Sequence, residues 1–378
     1  MSGLSLSGFS RLSEENSGFI HSCRGLAALM VVATHIEQVF VAPHWSGIHA
    51  YSLILGQASV MLFFVWSGFL ICKSITSRIS EGDYRLLDYA AARAWRIVPP
   101  LVLSLLLILA LSLLSPAVFS SGSTHFSPER YLVADGFQIV PEELLGAALF
   151  LNGFVTHTPR VNGPLWSLSF EVWLYAIAGA AVAFRQAPRY WPVVLAFIAL
   201  LGFRDMKFVA YGAVWAAGFL LCVHHNSGTK SRILRWLVCA GVVLFGGASI
   251  EFAGCFVHSF NAAGGQAGAN WHYIVAFNFF IGLLFACVIA LILDRRSPSN
   301  ALLSKSAEYS YTLYIIHFPI LLFVFGVTQA VLRGSPTSRI LIGIGTFALV
   351  ICIARVASTL VENKARLKQL LSRGFALR

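Results

Sequence analysis

Charge is scarce in this chain. Asp, Glu, Lys and Arg together make up 11% of its 378 residues, less than half of the roughly 25% found in soluble globular domains. That shortage excludes a water-exposed surface over most of the molecule. Metal-binding patterns are lacking as well. There is no HExxH, and the adjacent His224 and His225 diverge at a helix end, so no metal site is expected. Neither a nucleophile elbow nor a glycine-rich phosphate loop occurs. The seven cysteines (Cys23, Cys72, Cys222, Cys239, Cys255, Cys287 and Cys352) have no paired spacing and lie mostly in or beside apolar runs. They read as packing residues, not as a disulfide or metal framework. The N-terminus lacks a basic region, an apolar core and a small-residue cleavage site in that order, so no removable signal peptide is expected.

What the chain has is apolar length. It is 57% hydrophobic with a mean hydropathy of +0.76, and runs near 20 residues recur, enough to cross a ~30 Å hydrocarbon layer. Ten spans are expected, at about 21–42, 51–73, 97–118, 164–184, 191–203, 208–224, 236–254, 271–293, 311–332 and 340–361, the fifth being short. The expected fold class is therefore all-α, a polytopic membrane protein of about ten transmembrane helices set in a lipid bilayer. One transmembrane domain, 21–361, lies between an N-terminal segment, 1–20, and a basic tail, 362–378. With the N-terminus in the cytoplasm, twenty Lys and Arg fall on that side and six outside. This satisfies the positive-inside rule with both termini cytoplasmic. The net charge of +11 is thus mostly topological, and no nucleic acid partner is implied. The longest external segment, 119–163, contains an apolar stretch too short to span, expected as an interfacial or re-entrant helix. The Gly- and Ala-rich 255–270 reads as a flexible external stretch.

Polar residues inside these spans are expensive and mark candidate sites. RGLAALMVVATHIEQVF opens on Arg24 and carries His35 eleven residues later, about three turns on, so the two share a helix face. His35 falls near mid-membrane, as a candidate base or as a neutral histidine bonded to a neighbouring helix. In FFVWSGFLICK, Ser67 and Gly68 permit close helix packing. Arg93 and Arg96, three apart before Pro99 and Pro100, project from one face at the cytoplasmic boundary. They offer either multi-donor contacts to phosphates or simple anchoring. A new helix is expected to begin at the prolines. PLWSLSFEVWLY places Ser167, Glu171 and Tyr175 on one face, beside Trp166, opening toward the outer side. In YSYTLYIIHFPI, Ser310, Tyr314 and His317 share a face ahead of a kinking Pro319. This polar passage fits two classes: an intramembrane transferase, or a proton-coupled transporter or exporter of a glycan or small metabolite. Inverted repeats would favour the transporter, and none is clear.

The stretches RGLAALMVVATH, FFVWSGFLI, RAWRIVPP, PLWSLSFEVWLY and YSYTLYIIHFPI, in this order from Arg24 to Pro319, resemble the acyltransferase 3 family of integral membrane O-acyltransferases. The type expected is the stand-alone one, without the hydrolase-like domain that some members carry after the tenth helix. It implies transfer of an acyl group, usually acetyl from acetyl-CoA, to a hydroxyl of a cell-surface or exported glycan at the bacterial inner (plasma) membrane. It also implies functional roles for Arg24, His35, Arg93 and Arg96, with Glu171 at the family's acidic position. Three features depart from the family pattern: His21-Ser22-Cys23 stands where Asp-Gly-Leu is often found, Val172 replaces a second acid, and a proline is missing near the end of that helix. On this reading Arg24, Arg93 and Arg96 hold acetyl-CoA, and His35 is the general base, with Glu171 assisting. Ser67, Trp166, Ser167, Tyr175, Tyr314 and His317 contact substrate.

Overall fold

The computed structural model describes residues 11–366 apart from 83, 133, 186, 229–230, 266–270, 294–297 and 364–365. Residues 1–10, the basic tail beyond 366, Lys230 and the Arg295–Arg296 pair lie outside these described residues. The helices are α1 (Glu14–Ile36), α2 (His49–Ser80), α3 (Leu86–Val118), α4 (Pro141–Ala148), α5 (Leu165–Ala183), α6 (Trp191–Arg204), α7 (Met206–Ser227), α8 (Arg232–Ala262), α9 (Trp271–Leu293), α10 (Ala301–Ser306), α11 (Ser310–Leu332) and α12 (Pro336–Val361). Among the described residues, nine helices are long and apolar enough to cross a membrane. The chain is a multi-pass membrane protein.

Hydrogen bonds fix which helix ends share a face. Ser22 near the start of α1 bonds the Asn300 carbonyl at 3.1 Å, and the Thr312 N–H at the start of α11 donates to Glu362, just past α12, at 3.1 Å. These ends define one face of the bundle, the basic face of the charge count. Tyr84, between α2 and α3, donates to the Gly179 carbonyl at 2.9 Å, so α5 ends there too. The far end of α6 lies at the opposite face, where Arg204 Nε donates to the Phe154 carbonyl at 2.8 Å. The 14 residues of α6 rise only ~21 Å, yet they connect the two faces. It is the short fifth span of the sequence reading.

Three boundaries differ from expectation. First, α1 starts at Glu14, not near 21, because Ser13 caps it by accepting from the Asn16 N–H at 3.1 Å and Glu14 and Glu15 occupy its first turn, where carboxylates suit the helix dipole. Second, α3 starts at Leu86 and runs through Pro99 and Pro100 instead of beginning at them. Each proline removes one backbone donor but keeps a helical φ, so Arg93 and Arg96 stand on helix. Third, α8 continues to Ala262 across part of the stretch expected to be flexible. Phe256 and Phe260 explain it, since they bury against Ala50, Ile274 and Phe277. The short external helix appears as α4, eight residues long.

Small residues let the central helices approach. A Cβ on Gly68 would lie 2.0 Å from the Trp215 carbonyl oxygen, and one on Gly218 2.0 Å from that of Val65. The α2–α7 contact is thus closed by a reciprocal glycine pair, as lipid-embedded helices favour. α11 is the most buried of the spans, whereas α8 leaves most of its apolar surface facing outward.

Candidate active site

Two cavities occupy the bundle interior. The inner one, toward the basic face, is lined by Arg24 of α1, Ser67 of α2, Arg93 and Arg96 of α3, Ser167, Glu171 and Tyr175 of α5, and Tyr311 and Tyr314 of α11. The outer one is lined by Thr34, His35 and Gln38, by Gln57 of α2, Trp166 of α5, and Tyr314 and Phe318 of α11. Together with the open solvent at their mouths they hold about 850 Å³ and 770 Å³ of space free of atoms. Val60 and Tyr314 line both and form the wall between them. Tyr314 is held in that wall by a 2.7 Å bond to Ser167 Oγ and by donating to the Pro164 carbonyl at 3.2 Å.

The inner chamber is an anion site by its chemistry. Three guanidinium groups and one carboxylate, Glu171, line it, with Glu362 near enough to act on Arg24 and Arg96, and among the described residues none of the three arginines forms an ion pair. Arg93 is anchored by an Nη2 bond to Ser74 Oγ at 3.2 Å, yet its Nε and the Tyr311 hydroxyl are buried without hydrogen-bond partners among the described residues. Unpaired buried donors cost free energy, and an anionic group entering the chamber would meet them. Glu171 is engaged elsewhere: it accepts from Ser67 Oγ at 2.6 Å and from the Tyr175 hydroxyl, while Trp215 Nε1 donates to Ser67 at 3.1 Å. Ser67 therefore has a polar role beside the packing role of Gly68. At the chamber's basic-face edge, Glu362 binds both the N–H and the hydroxyl of Thr312. Burial raises its carboxyl above the usual carboxylate range, and the two Thr312 donors and the charges of Arg96 and Arg24 oppose that shift.

The expected outward opening of Glu171, Ser167 and Tyr175 is corrected here. All three line the inner chamber with the arginines, because the α2–α5 contact sets the Glu171 carboxylate against Ser67, seven residues past the dividing Val60. His35, expected on the same path, lines only the outer chamber, along with Trp166.

α11 positions the histidines through a repaired backbone defect. Pro319 has no N–H to give the Ile315 carbonyl, a bond its residue type forbids. That carbonyl is served instead by Ser104 Oγ of α3 and Asn162 Nδ2 of the loop before α5, each at 2.8 Å, and Asn162 also bonds Ser104 at 2.9 Å. Neighbouring side chains commonly satisfy such defects within a membrane. The repair ties α11 to α3 at the level where His317 Nε2 meets His35 Nδ1 at 3.1 Å. His317 is fully buried, bonded through Nδ1 to the Leu313 carbonyl at 3.1 Å. It sits behind His35 and lines neither chamber, a placement that does not fit direct substrate contact.

Several residues escaped the sequence reading. Gln38, Gln57 and Tyr311 line the chambers, and Glu37, in a π-helical turn directly after α1, bonds the buried His49 at 2.8 Å. The two glutamines are polar residues inside apolar runs, the same signal that drew attention to His35.

Comparison with known proteins identifies the family. The family model described as an acyltransferase domain matches residues 17–355. An O-acetyl transferase of Shigella phage Sf6 is 25% identical over 323 residues, covering 80% of this chain and 84% of the phage protein. No solved structure matches.

Proposed function

The chain belongs to the acyltransferase 3 family of membrane O-acyltransferases, and from that premise we propose that it is an O-acetyltransferase. It moves an acetyl group from cytosolic acetyl-CoA to a hydroxyl of a cell-surface or exported glycan, and it works in a bacterial plasma membrane. The name of the phage relative supports acetyl as the group moved. The observation that carries the reading is the inner chamber, where three arginines, in no ion pair among the described residues, line one cavity near the basic face. CoA is a cytosolic polyanion, and planar guanidinium forks suit its phosphates. Arg24, Arg93 and Arg96 hold the donor, and Ser67, Glu171 and Tyr175 line its path toward the dividing wall.

The outer chamber supplies the other half. Its amides, Gln38 and Gln57, offer hydrogen bonds to hydroxyls, and Trp166 and Phe318 offer apolar faces to a sugar ring. His35 takes the acceptor proton as general base. The acceptor oxygen bonds to the acyl carbon, the carbon–sulfur bond breaks, and the thiolate of CoA receives the proton from His35. Acyl passage then requires the pantetheine arm to cross between the chambers at Tyr314.

The test is transfer of radiolabelled acetyl from acetyl-CoA into membrane glycans by wild-type protein and His35→Ala at matched expression. Label is expected with the wild type alone. Equal label from both removes His35 from the chemistry, and a protein that binds CoA but labels no glycan overturns the acceptor class.

A further inference from the structure

We propose that His317 is a positioning residue that fixes the tautomer of His35 and so presents His35 Nε2 as the lone-pair nitrogen. The inference rests on the reading of His35 as the base, and its geometry is independent of that reading.

The hydrogen positions follow along the chain of bonds. The Leu313 carbonyl oxygen can only accept, so His317 Nδ1, 3.1 Å away, carries a hydrogen. A neutral imidazole has one N–H, so His317 Nε2 is then an acceptor. Its partner at 3.1 Å is His35 Nδ1, which must donate. The single N–H of a neutral His35 is thereby used, and Nε2 holds the lone pair. The opposite tautomer of His35 would set two lone pairs against each other. His317 is fully buried with its two nitrogens on Leu313 and His35. Among the described residues no carboxylate meets it to hold a second proton there.

The arrangement is maintained from behind. The Ser104 and Asn162 bonds to the Ile315 carbonyl lie two residues before His317 on α11. Phe318 packs edge-on to the His35 ring, with centroids 5.0 Å apart. During transfer the acceptor O–H proton arrives at His35 Nε2 and leaves from it to the thiolate. The Nδ1–H stays in place against His317 throughout, so the base returns to the same tautomer after each turnover.

Two measurements test this. In wild-type protein labelled with ¹⁵N-histidine, and assigned with a His35→Asn variant, the nitrogen spectrum is expected to show His35 protonated at Nδ1 and bare at Nε2. A wild-type His35 protonated at Nε2 overturns the proposal whether or not any variant folds. The second is kinetic. His317→Leu removes the acceptor and is expected to lower kcat by about 10²-fold, the scale of a general-base contribution. KM for acetyl-CoA should stay near wild type. His317→Gln, whose Oε1 accepts from the His35 N–H, is expected to recover most of that loss. A His317→Leu enzyme with wild-type kcat overturns the proposal. So does a Gln variant as impaired as the Leu variant when both bind CoA normally. The base reading fails by a different result, undiminished transfer by His35→Ala, which leaves the wild-type spectrum untouched.

Discussion

Pro319 leaves the Ile315 carbonyl without its helical donor. Three bonds join Ile315 O, Ser104 and Asn162, all at buried positions. Take each neutral bond as about 1 kcal/mol net. Ser104→Ala removes two of them but leaves Asn162 on the carbonyl, at a cost of about 2 kcal/mol. Asn162→Ala also removes two and leaves Ser104 there, again about 2 kcal/mol. The double variant removes all three, and the last bond to the carbonyl then costs about 3 kcal/mol instead of about 1, because its loss strands the group in a water-excluded interior. The double change therefore costs about 5 kcal/mol against about 4 for independent effects, a positive interaction energy of about 1 kcal/mol. If the carbonyl finds another donor, the double variant costs only about 3 kcal/mol, since the shared bond is counted twice in the single variants, and the sign of the interaction reverses. The assay is reversible unfolding of the purified protein in mixed detergent micelles, followed by helical circular dichroism for all four proteins. A double variant no less stable than the singles predict would refute the repair, because the bilayer argument demands that the last donor be worth more than the first.

Other predictions follow from the same geometry. Arg96→Ala should weaken binding of radiolabelled CoA to the purified protein by tenfold or more, the ~1.5–3 kcal/mol of a charged hydrogen bond. His35→Ala should bind CoA as the wild type does, and equal loss in both would deny the separation into two chambers. Gly68→Ala sets a Cβ 2.0 Å from the Trp215 carbonyl oxygen, so α2 and α7 must part at a cost of about 1–3 kcal/mol. A lowered thermal midpoint is expected, whereas Gly47→Ala, with open space around it, should have little steric effect. Glu362 carries a carboxyl raised by burial, so the folded protein holds its proton more tightly than the unfolded chain. Its stabilising contribution is full below the unfolded value and is lost as pH rises through the folded one. Glu362→Gln should flatten that acidic limb of the midpoint-versus-pH curve. An unchanged curve would remove Glu362 from the balance.

Much of the site was legible one helix at a time. Arg24, Arg93, Arg96, His35 and Glu171 stand out because ionisable side chains are costly in apolar runs, and a cost of that kind is visible without neighbours. Short spacings group Arg93 with Arg96 and Ser167 with Glu171 and Tyr175 in the inner chamber, since helical periodicity is a local property, whereas His317, seven residues past Ser310, lines neither chamber, and His35, eleven past Arg24, lines the other one. Boundaries were less legible. α8 reaches Ala262 only because Phe256 and Phe260 find a hydrophobic cluster that includes Ala50, about two hundred residues earlier in the chain.

By itself, the sequence determined the class of protein. Scarce charge, repeated apolar runs and the lopsided distribution of Lys and Arg require a helical bundle in a membrane, because backbone and charge must be satisfied segment by segment there. Its ordered motifs also pointed to the acyltransferase 3 family, as the match over residues 17–355 shows. Only the tertiary structure decided which polar residues meet. It put Glu171 with Ser67 and the arginines, set His35 apart in the outer chamber, and stood His317 behind His35. Those pairings join residues 104 and 282 positions apart. They depend on how helices cross, on a reciprocal glycine contact and on a proline's missing hydrogen bond, and no single span carries that information.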